Sequence, residues 1–236
     1  MPAQLQHETD DLGNGLVEIL GDVIVQFDAT VGRLIDLLEG LGIRENTLVL
    51  LTSDNGPVLD DGYADEAFER LGDHDPNGGL RGGKYSSFEA GTRVPMVVSW
   101  PGRVRRGDSS SVMFSQVDLL GSLADLTGLG SDASKARDSE NRLAELLGSS
   151  GATGRTHLVE EAVSGVLSLL RSDGYKYIPA SNGPKRLTWA PQIETGFEAF
   201  EQLYHLPCDR SERRNLAASR PDVLGEMRSR WMQLVK

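Results

Sequence analysis

Asp54 and Asn55 are the first residues along the chain whose types and spacing could do chemistry. They come directly after the apolar run TLVLL at residues 47–51, which predicts a buried strand. Ligands of open α/β sheets bind outside the carboxyl ends of the strands, so the pair lies where a site would form. A carboxylate and an amide offer hard oxygen donors, which suit calcium or magnesium better than zinc. The alternative is an Asx turn that only ends the strand.

Lys84 ends a second candidate segment, NGGLRGGK at residues 77–84. From Gly78 to Lys84 the spacing matches G-x-x-x-x-G-K, but Tyr85 follows where a phosphate-binding loop needs a Ser or Thr hydroxyl for magnesium. No strand is predicted before the loop either, so a nucleotide-binding protein is disfavoured. The glycines still allow the backbone and Lys84 to approach an anion closely. The alternative is a flexible loop that carries a solvated lysine.

An acidic run and a lone cysteine have simpler interpretations. Residues 60–75 contain seven acidic side chains against Arg70, a pattern typical of a solvated surface. His74 lies within this run and could reach into a cleft, although an exposed position is the simpler expectation. Cys208 is the only cysteine, so it forms no disulfide within the chain, and no histidine or cation nearby suggests an activated thiol.

The elements around these residues predict an α/β fold. Apolar residues recur every three or four positions from Leu16 to Leu41, which predicts an amphipathic helix packed on a core. The strand at residues 47–51 is expected to be parallel and covered on both faces. Residues 94–100 predict another strand, and a capping box at residues 115–118 opens a helix that Gly128 ends.

The second half of the chain has a different pattern. The small residues at 147–154 predict a linker. Segments 156–160, 165–171 and 175–179 are separated by turn residues and predict an antiparallel meander, and residues 221–235 predict a closing helix. We therefore expect a poorly ordered extension at 1–15, a core unit at 16–148 and a small α+β subdomain at 155–236.

Composition excludes several classes of protein. The chain has 236 residues, of which 39% are apolar, enough for a real core. Its net charge of −11 disfavours nucleic acid and anionic lipid as partners. No apolar stretch approaches the ~20 residues that a membrane-spanning helix needs. The first residues carry neither the basic nor the apolar part of a secretory signal.

Four segments together resemble the sulfatases, in the order and spacing of that family: FDATVGRLIDLL from Phe27, NTLVLLTSDNGP from Asn46, LRGGK from Leu80 and FEAGTRVP from Phe88. The resemblance implies the C-terminal part of an alkaline-phosphatase-like core, followed by a small antiparallel β subdomain with a terminal helix. Asn55 stands where relatives that cleave phosphate esters commonly carry histidine, which favours sulfate esters. The loop after residue 57 resembles arylsulfatase-type members that act on sulfated carbohydrates.

The resemblance also implies roles for particular residues. Asp54 and Asn55 match the pair that completes a calcium site, and Lys84 matches the lysine that contacts the sulfate and neutralises charge on the leaving oxygen. His74 and Arg81 are candidates for the substrate rim. The implied substrate is a sulfated small molecule or carbohydrate. Two further family positions are Glu89 and Arg93, for which a structural ion pair is the favoured interpretation.

One departure from the family is decisive for the expected activity. Sulfatases use a C/S-x-P-x-R motif whose Cys or Ser is oxidised to formylglycine, and we expect no functional copy of it here: Cys208 is followed by Arg210 and Glu212 where the motif requires proline and arginine. The family's N-terminal aspartate pair, lysine and histidines are missing as well. We therefore expect an inactive, poorly soluble fragment on its own, with a separate N-terminal sulfatase half as a candidate partner. The alternative is a non-catalytic sulfate- or carbohydrate-binding module. For a full-length parent the family suggests a periplasmic or extracellular location.

Overall fold

The computed structural model describes residues 15–58, 61–63, 66, 69, 71–129 and 136–235, so the predicted extension at 1–15 lies almost wholly outside them. The helices are α1 (Gly15–Gly40), α2 (Asp118–Leu126), α3 (Leu143–Leu146) and α4 (Pro221–Leu234). The strands are β1 (Val49–Thr52), β2 (Met96–Ser99), β3 (His157–Glu161), β4 (Leu167–Arg171), β5 (Tyr175–Ile178), β6 (Arg186–Leu187), β7 (Ala190–Glu194) and β8 (Gln202–His205).

Strand β1 forms where the apolar run predicts it, but its partner differs from the expectation. It pairs antiparallel with β2, with Val49 opposite Ser99 and Thr52 opposite Met96. All four β1 residues are only half-buried, and Val97 of β2 is 54% exposed. The prediction of a parallel strand covered on both faces is therefore wrong for the described part of the chain. An apolar run reports how much surface a strand can bury, and it says nothing about the direction of the neighbouring strand.

Helix α1 is confirmed, whereas the core beneath it is not found among the described residues. Its apolar stripe faces outward: Ile24 is 59%, Phe27 53% and Leu34 47% exposed. Among the described residues, the element that it contacts most is the short turn Arg44–Asn46, which follows it. The periodicity therefore predicts the helix correctly. The prediction that its apolar face packs on a core is wrong for the described residues.

The second half of the chain folds as predicted, around an antiparallel sheet in the order β3-β4-β5-β8. Helix α4 packs on this sheet, and Val223 and Met227 join Leu169, Tyr177 and Leu203 in a buried cluster. The Trp231 indole N–H donates to the Leu167 carbonyl at 2.8 Å, which fixes the helix at its far end. Strands β6 and β7 form a separate hairpin.

Asp118, fully buried at the start of α2, joins the two halves of the chain. Its carboxylate accepts two hydrogen bonds from the Arg155 guanidinium, at 2.7 and 2.5 Å. It also accepts the backbone N–H groups of Ser115 and Glu140, the first of which is half of the predicted capping box. The boundary expected at residues 147–154 is thus bridged by an ion pair, and the division into units stays a prediction.

Candidate functional site

The loop that follows β1 and the loop that carries Lys84 are joined by main-chain contacts. The Gly56 N–H donates to the Gly91 carbonyl at 3.0 Å, and the Lys84 N–H donates to the Pro57 carbonyl at 2.9 Å. A Cβ on Gly56 would lie 1.6 Å from the Ala90 carbonyl oxygen, so only glycine allows the two loops to approach this closely. Main-chain contacts therefore hold the loop of Asp54 and Asn55 against the loop of Lys84.

The turn at Asp54 and Asn55 is held from both sides. The Ser53 hydroxyl donates to the Asn55 carbonyl at 2.9 Å, and the Asn55 side-chain N–H donates to the Gly56 carbonyl at 2.9 Å. The Gln116 amide donates to the Ser53 carbonyl at 2.5 Å from the segment before α2. Because the amide nitrogen of Asn55 is engaged, its oxygen is the atom that the side chain offers to a ligand. Asp54 itself is exposed.

A cavity of about 1060 Å³ brings these groups together. Its walls include Asp54, Asn55, Lys84, Glu89, Arg93 and Gln116, and they continue along the residues 110–116. The structure thus places three of the predicted site residues on one surface. Sequence reasoning assigned no site role to Gln116, because its contribution depends on a contact across more than sixty residues of chain.

Arg93 lies on the cavity wall and is held by a buried carboxylate. Its Nε–H donates to Glu89 at 2.7 Å, so the predicted ion pair between these residues is confirmed. The Glu89 side chain is 1% exposed, whereas that of Arg93 is 54% exposed. Burial alone would raise the pKa of Glu89, but Lys176 and Arg93 outweigh it and lower that pKa. The pair therefore stays charged and orients Arg93.

A network of buried charges lies behind this wall. Lys176, on β5, is fully buried, and its Nζ lies 2.9 Å from carboxylate oxygens of both Glu89 and Glu160. Burial opposes its charge, yet the two carboxylates raise the pKa of Lys176 well above its ordinary value. Glu212 accepts the Glu89 backbone N–H at 2.7 Å, and among the described residues its second oxygen has no hydrogen-bond partner. Burial raises the pKa of Glu212 to about 7.

His74 and Arg81 are not among the described residues that line the cavity. Arg81 donates to the Glu194 carboxylate at 2.5 Å and to the Glu212 carbonyl at 2.7 Å, and its guanidinium lies 3.9 Å from the centre of the Phe88 ring. These contacts give Arg81 a role in holding loops together. His74 is exposed in the acidic loop. For both residues the substrate rim stays a prediction.

Asp54 and Asn55 fit part of a site for a divalent cation. Their oxygens are the hard donors that calcium prefers, but calcium takes about six to eight oxygen ligands. In the portion of the chain that the structure describes, no group of three or more His, Cys, Asp or Glu side chains is placed to hold a metal. No helix among the described residues is long and apolar enough to cross a membrane.

The walls of the cavity carry the oxygen donors of Asp54 and Asn55 and the ammonium of Lys84. A family model described as Sulfatase matches residues 6–129, more than half of the chain. The chain belongs to the sulfatase family, whose solved members share an alkaline-phosphatase-like fold.

Individual relatives support this assignment. The chain is 42% identical over 216 residues to the N-acetylgalactosamine-6-O-sulfatase of Bacteroides thetaiotaomicron, which covers 92% of this chain and 41% of that protein. It is 36% identical over 127 residues to the human N-acetylgalactosamine-6-sulfatase, which covers 54% of this chain and 23% of that protein. The chain thus spans about two fifths of the length of the bacterial relative.

Solved structures give the same picture. A protein from work on glycosaminoglycan metabolism by Bacteroides thetaiotaomicron superposes with a TM-score of 0.85 at 41% identity, over 91% of this chain and 44% of that one. A sulfatase from Pseudoalteromonas superposes with a TM-score of 0.68 at 22% identity, over 90% and 41% of the two chains, which shows a shared fold.

Proposed function

We propose that this chain provides one side of the active site of a sulfatase that hydrolyses sulfate esters on carbohydrates. The observation that carries the proposal is the cavity that Asp54, Asn55 and Lys84 share, with the two loops fixed by main-chain hydrogen bonds. Relatives named for N-acetylgalactosamine 6-sulfate support a sulfated sugar as the substrate class.

In this proposal the chain's own residues bind and stabilise charge. The Asp54 carboxylate and the Asn55 amide oxygen are two ligands of calcium, which supplies positive charge next to the sulfate oxygens when it is bound. The Lys84 ammonium donates a hydrogen bond to the sulfate and neutralises negative charge on the oxygen that leaves with the sugar. Arg93, oriented by Glu89, adds a second cation to the same wall.

In this proposal the nucleophile and the remaining metal ligands come from a polypeptide segment other than these 236 residues. The sequence does contain the letters of C/S-x-P-x-R once, as SWPGR at residues 99–103. Ser99 ends strand β2 and is not among the described residues that line the cavity, so it is not proposed as the nucleophile. Such a segment could precede this one in the same polypeptide or belong to a separate N-terminal sulfatase half. For the complete enzyme we propose a periplasmic or extracellular location, which is the location that the family resemblance suggests.

A complementation experiment tests the proposal. The chain is purified alone and also co-expressed with an N-terminal sulfatase segment that carries C/S-x-P-x-R and with the enzyme that forms formylglycine. We expect no hydrolysis of 4-methylumbelliferyl sulfate by the chain alone and calcium-dependent hydrolysis by the pair. A complementing segment whose motif Cys is changed to Ala, which cannot form formylglycine, is the matched control.

Two results would contradict parts of this proposal. Calcium-dependent turnover by the isolated chain would show that the nucleophile lies within it. A well-folded complex with no activity, combined with tight binding of sulfated oligosaccharides by the chain alone in calorimetry, would instead favour the non-catalytic binding module.

A further inference from the structure

Tyr85, the residue after Lys84, has a backbone conformation that residues other than glycine rarely adopt. Its φ is 80°, in the left-handed region, where a side chain is strained. The surroundings hold it there: its carbonyl accepts the Val163 N–H at 3.1 Å, and its ring packs on the cluster of Leu187, Ala190 and Ile193. This conformation places the Tyr85 ring beside Lys84, with 5.4 Å between Nζ and the ring centre.

Trp189 adds a second aromatic ring next to Tyr85. It lies in the turn between β6 and β7, and the two ring centres are 4.8 Å apart with an edge-to-face angle of 83°. The indole centre therefore lies within about 10 Å of the Lys84 Nζ. Tyr85 lines the cavity, whereas Trp189 stands just beyond it and is 43% exposed.

The hairpin that carries Trp189 is fixed to the loop that carries Lys84. The Ser86 hydroxyl donates to the Glu194 carbonyl at 2.7 Å, and the Ser87 N–H donates to the Thr195 carbonyl at 2.8 Å. The ion pair between Arg81 and Glu194 adds a third connection. Trp189 and Lys84 are therefore held at a constant separation, as two parts of one binding surface must be.

An exposed indole beside a polar cavity suits a ligand with one apolar face and a polar rim. A pyranose ring has this character, because one of its faces presents C–H groups while its hydroxyls point outward. The indole centre lies no farther than about 10 Å from the Lys84 Nζ, so one ligand can contact both groups. An isolated sulfate ion has no apolar face and would make no use of the indole in this position.

We propose that Trp189, supported by Tyr85, is the stacking surface for the sugar ring that bears the sulfate. The inference rests on the proposed function, because it places the sulfate of the same sugar at Lys84. In this proposal the hairpin β6–β7 determines which sugar binds, whereas separate loops carry the charged groups.

The affinity of the purified chain for two sugars tests this inference. The chain is titrated with N-acetylgalactosamine 6-sulfate and with unsulfated N-acetylgalactosamine, and saturation-transfer NMR monitors each titration. We expect Trp189→Ala to weaken binding of both sugars about tenfold, the equivalent of ~1.4 kcal/mol. Trp189→Phe should recover most of the affinity. Phe200→Ala, which removes a 56% exposed aromatic ring elsewhere, should change nothing. Lys84→Ala should remove the preference for the sulfated sugar while leaving the unsulfated sugar bound.

Two outcomes would overturn the inference: unchanged affinities in Trp189→Ala, or no measurable binding of either sugar to the unmodified chain. Failure of the proposed function has a different signature. In that case both sugars bind equally well and Lys84→Ala has no effect, although Trp189→Ala still weakens binding.

Discussion

The Nζ of Lys176 lies 2.9 Å from the Glu89 carboxylate, and both side chains are almost completely buried. The ion pair connects the central sheet of the second half to the loop that presents Arg93 to the cavity. Glu160 shares the same ammonium at 2.9 Å. The position of Arg93 and the charge of Glu89 at the cavity wall therefore depend on Lys176, which lies in the second half of the chain.

Replacing Lys176 should destabilise the fold strongly. Lys176→Met leaves Glu160 buried without its cation and leaves Glu89 with Arg93 alone, and breaking a buried pair in this way costs about 3–5 kcal/mol. Urea denaturation followed by circular dichroism measures the loss. The control is Lys185→Met, because the Lys185 side chain is 75% exposed and its pair with Glu198 lies at the surface. A surface pair contributes only about 0–1 kcal/mol. Equal stabilities for the two variants would contradict the prediction.

Glu212 should make stability depend on pH. Its pKa is about 7 in the folded chain against 4.5 for an ordinary glutamate, so the folded state keeps a proton that the unfolded state releases. Stability from this group is therefore greatest below pH 4.5, falls as the pH rises to 7 and then levels off. The total loss is on the order of 3 kcal/mol.

Glu212→Gln isolates this effect, because the amide stays neutral and can still accept the Glu89 N–H. Denaturation at pH 5, 6, 7 and 8 should show the variant gaining stability relative to the unmodified chain as the pH rises. Glu226→Gln, at a side chain that is 69% exposed, is the control and should give a constant difference. A constant difference for Glu212→Gln as well would disprove the assignment.

Gly56→Ala should separate the two loops of the site. The added Cβ would meet the Ala90 carbonyl oxygen at 1.6 Å, so the hydrogen bond from Gly56 to Gly91 cannot survive. We expect a lower midpoint of thermal unfolding and loss of activity in the complemented enzyme. Gly225→Ala is the matched control: nothing lies within 4 Å of its added Cβ in α4. Alanine is favoured in a helix by about 1 kcal/mol, so this variant should be slightly more stable.

The charged groups of the cavity should affect different steps in the complemented enzyme. Lys84→Ala should reduce kcat about 10²–10³-fold, the usual effect of removing one group that stabilises developing charge. Asp54→Ala should instead raise the calcium concentration needed for half-maximal activity at least about tenfold, because it removes an anionic ligand. Lys185→Ala and Asp108→Ala, both at exposed side chains, are the controls. Wild-type kcat in Lys84→Ala would rule out its assigned role.

The exposed stripe of α1 should make the isolated chain associate with itself. Ile24, Phe27 and Leu34 are each about half exposed or more, and contiguous apolar surface of this kind favours association. Light scattering of the purified chain should show oligomers. Glutamine at all three positions should give a monomer, whereas Met232→Gln, at an exposed residue of α4, should leave the oligomers. A monomeric unmodified chain would contradict this expectation.

Local patterns in the sequence predict the elements well and their partners poorly. The periodicity of α1, the apolar run of β1 and the turn residues of the meander each depend on neighbours in the chain, and those elements form as predicted. The antiparallel partner of β1 and the exposure of Phe27 depend on how elements pack against each other. The residue pattern of a single strand or helix does not contain that information. For the same reason Asp54 and Lys84 could be selected by type and motif, while the support from Gln116 and Lys176 could not.

The contact between Gly56 and Gly91 has a consequence for the substitutions that the chain can tolerate. Because peptide groups join Gly56 to Gly91, the close approach of the two loops depends on main-chain contacts, whereas side chains such as Gln116 and Glu89 position individual groups. Substitutions at Trp189 can therefore alter which molecules bind without touching this contact, whereas the contact leaves no room for a side chain at Gly56.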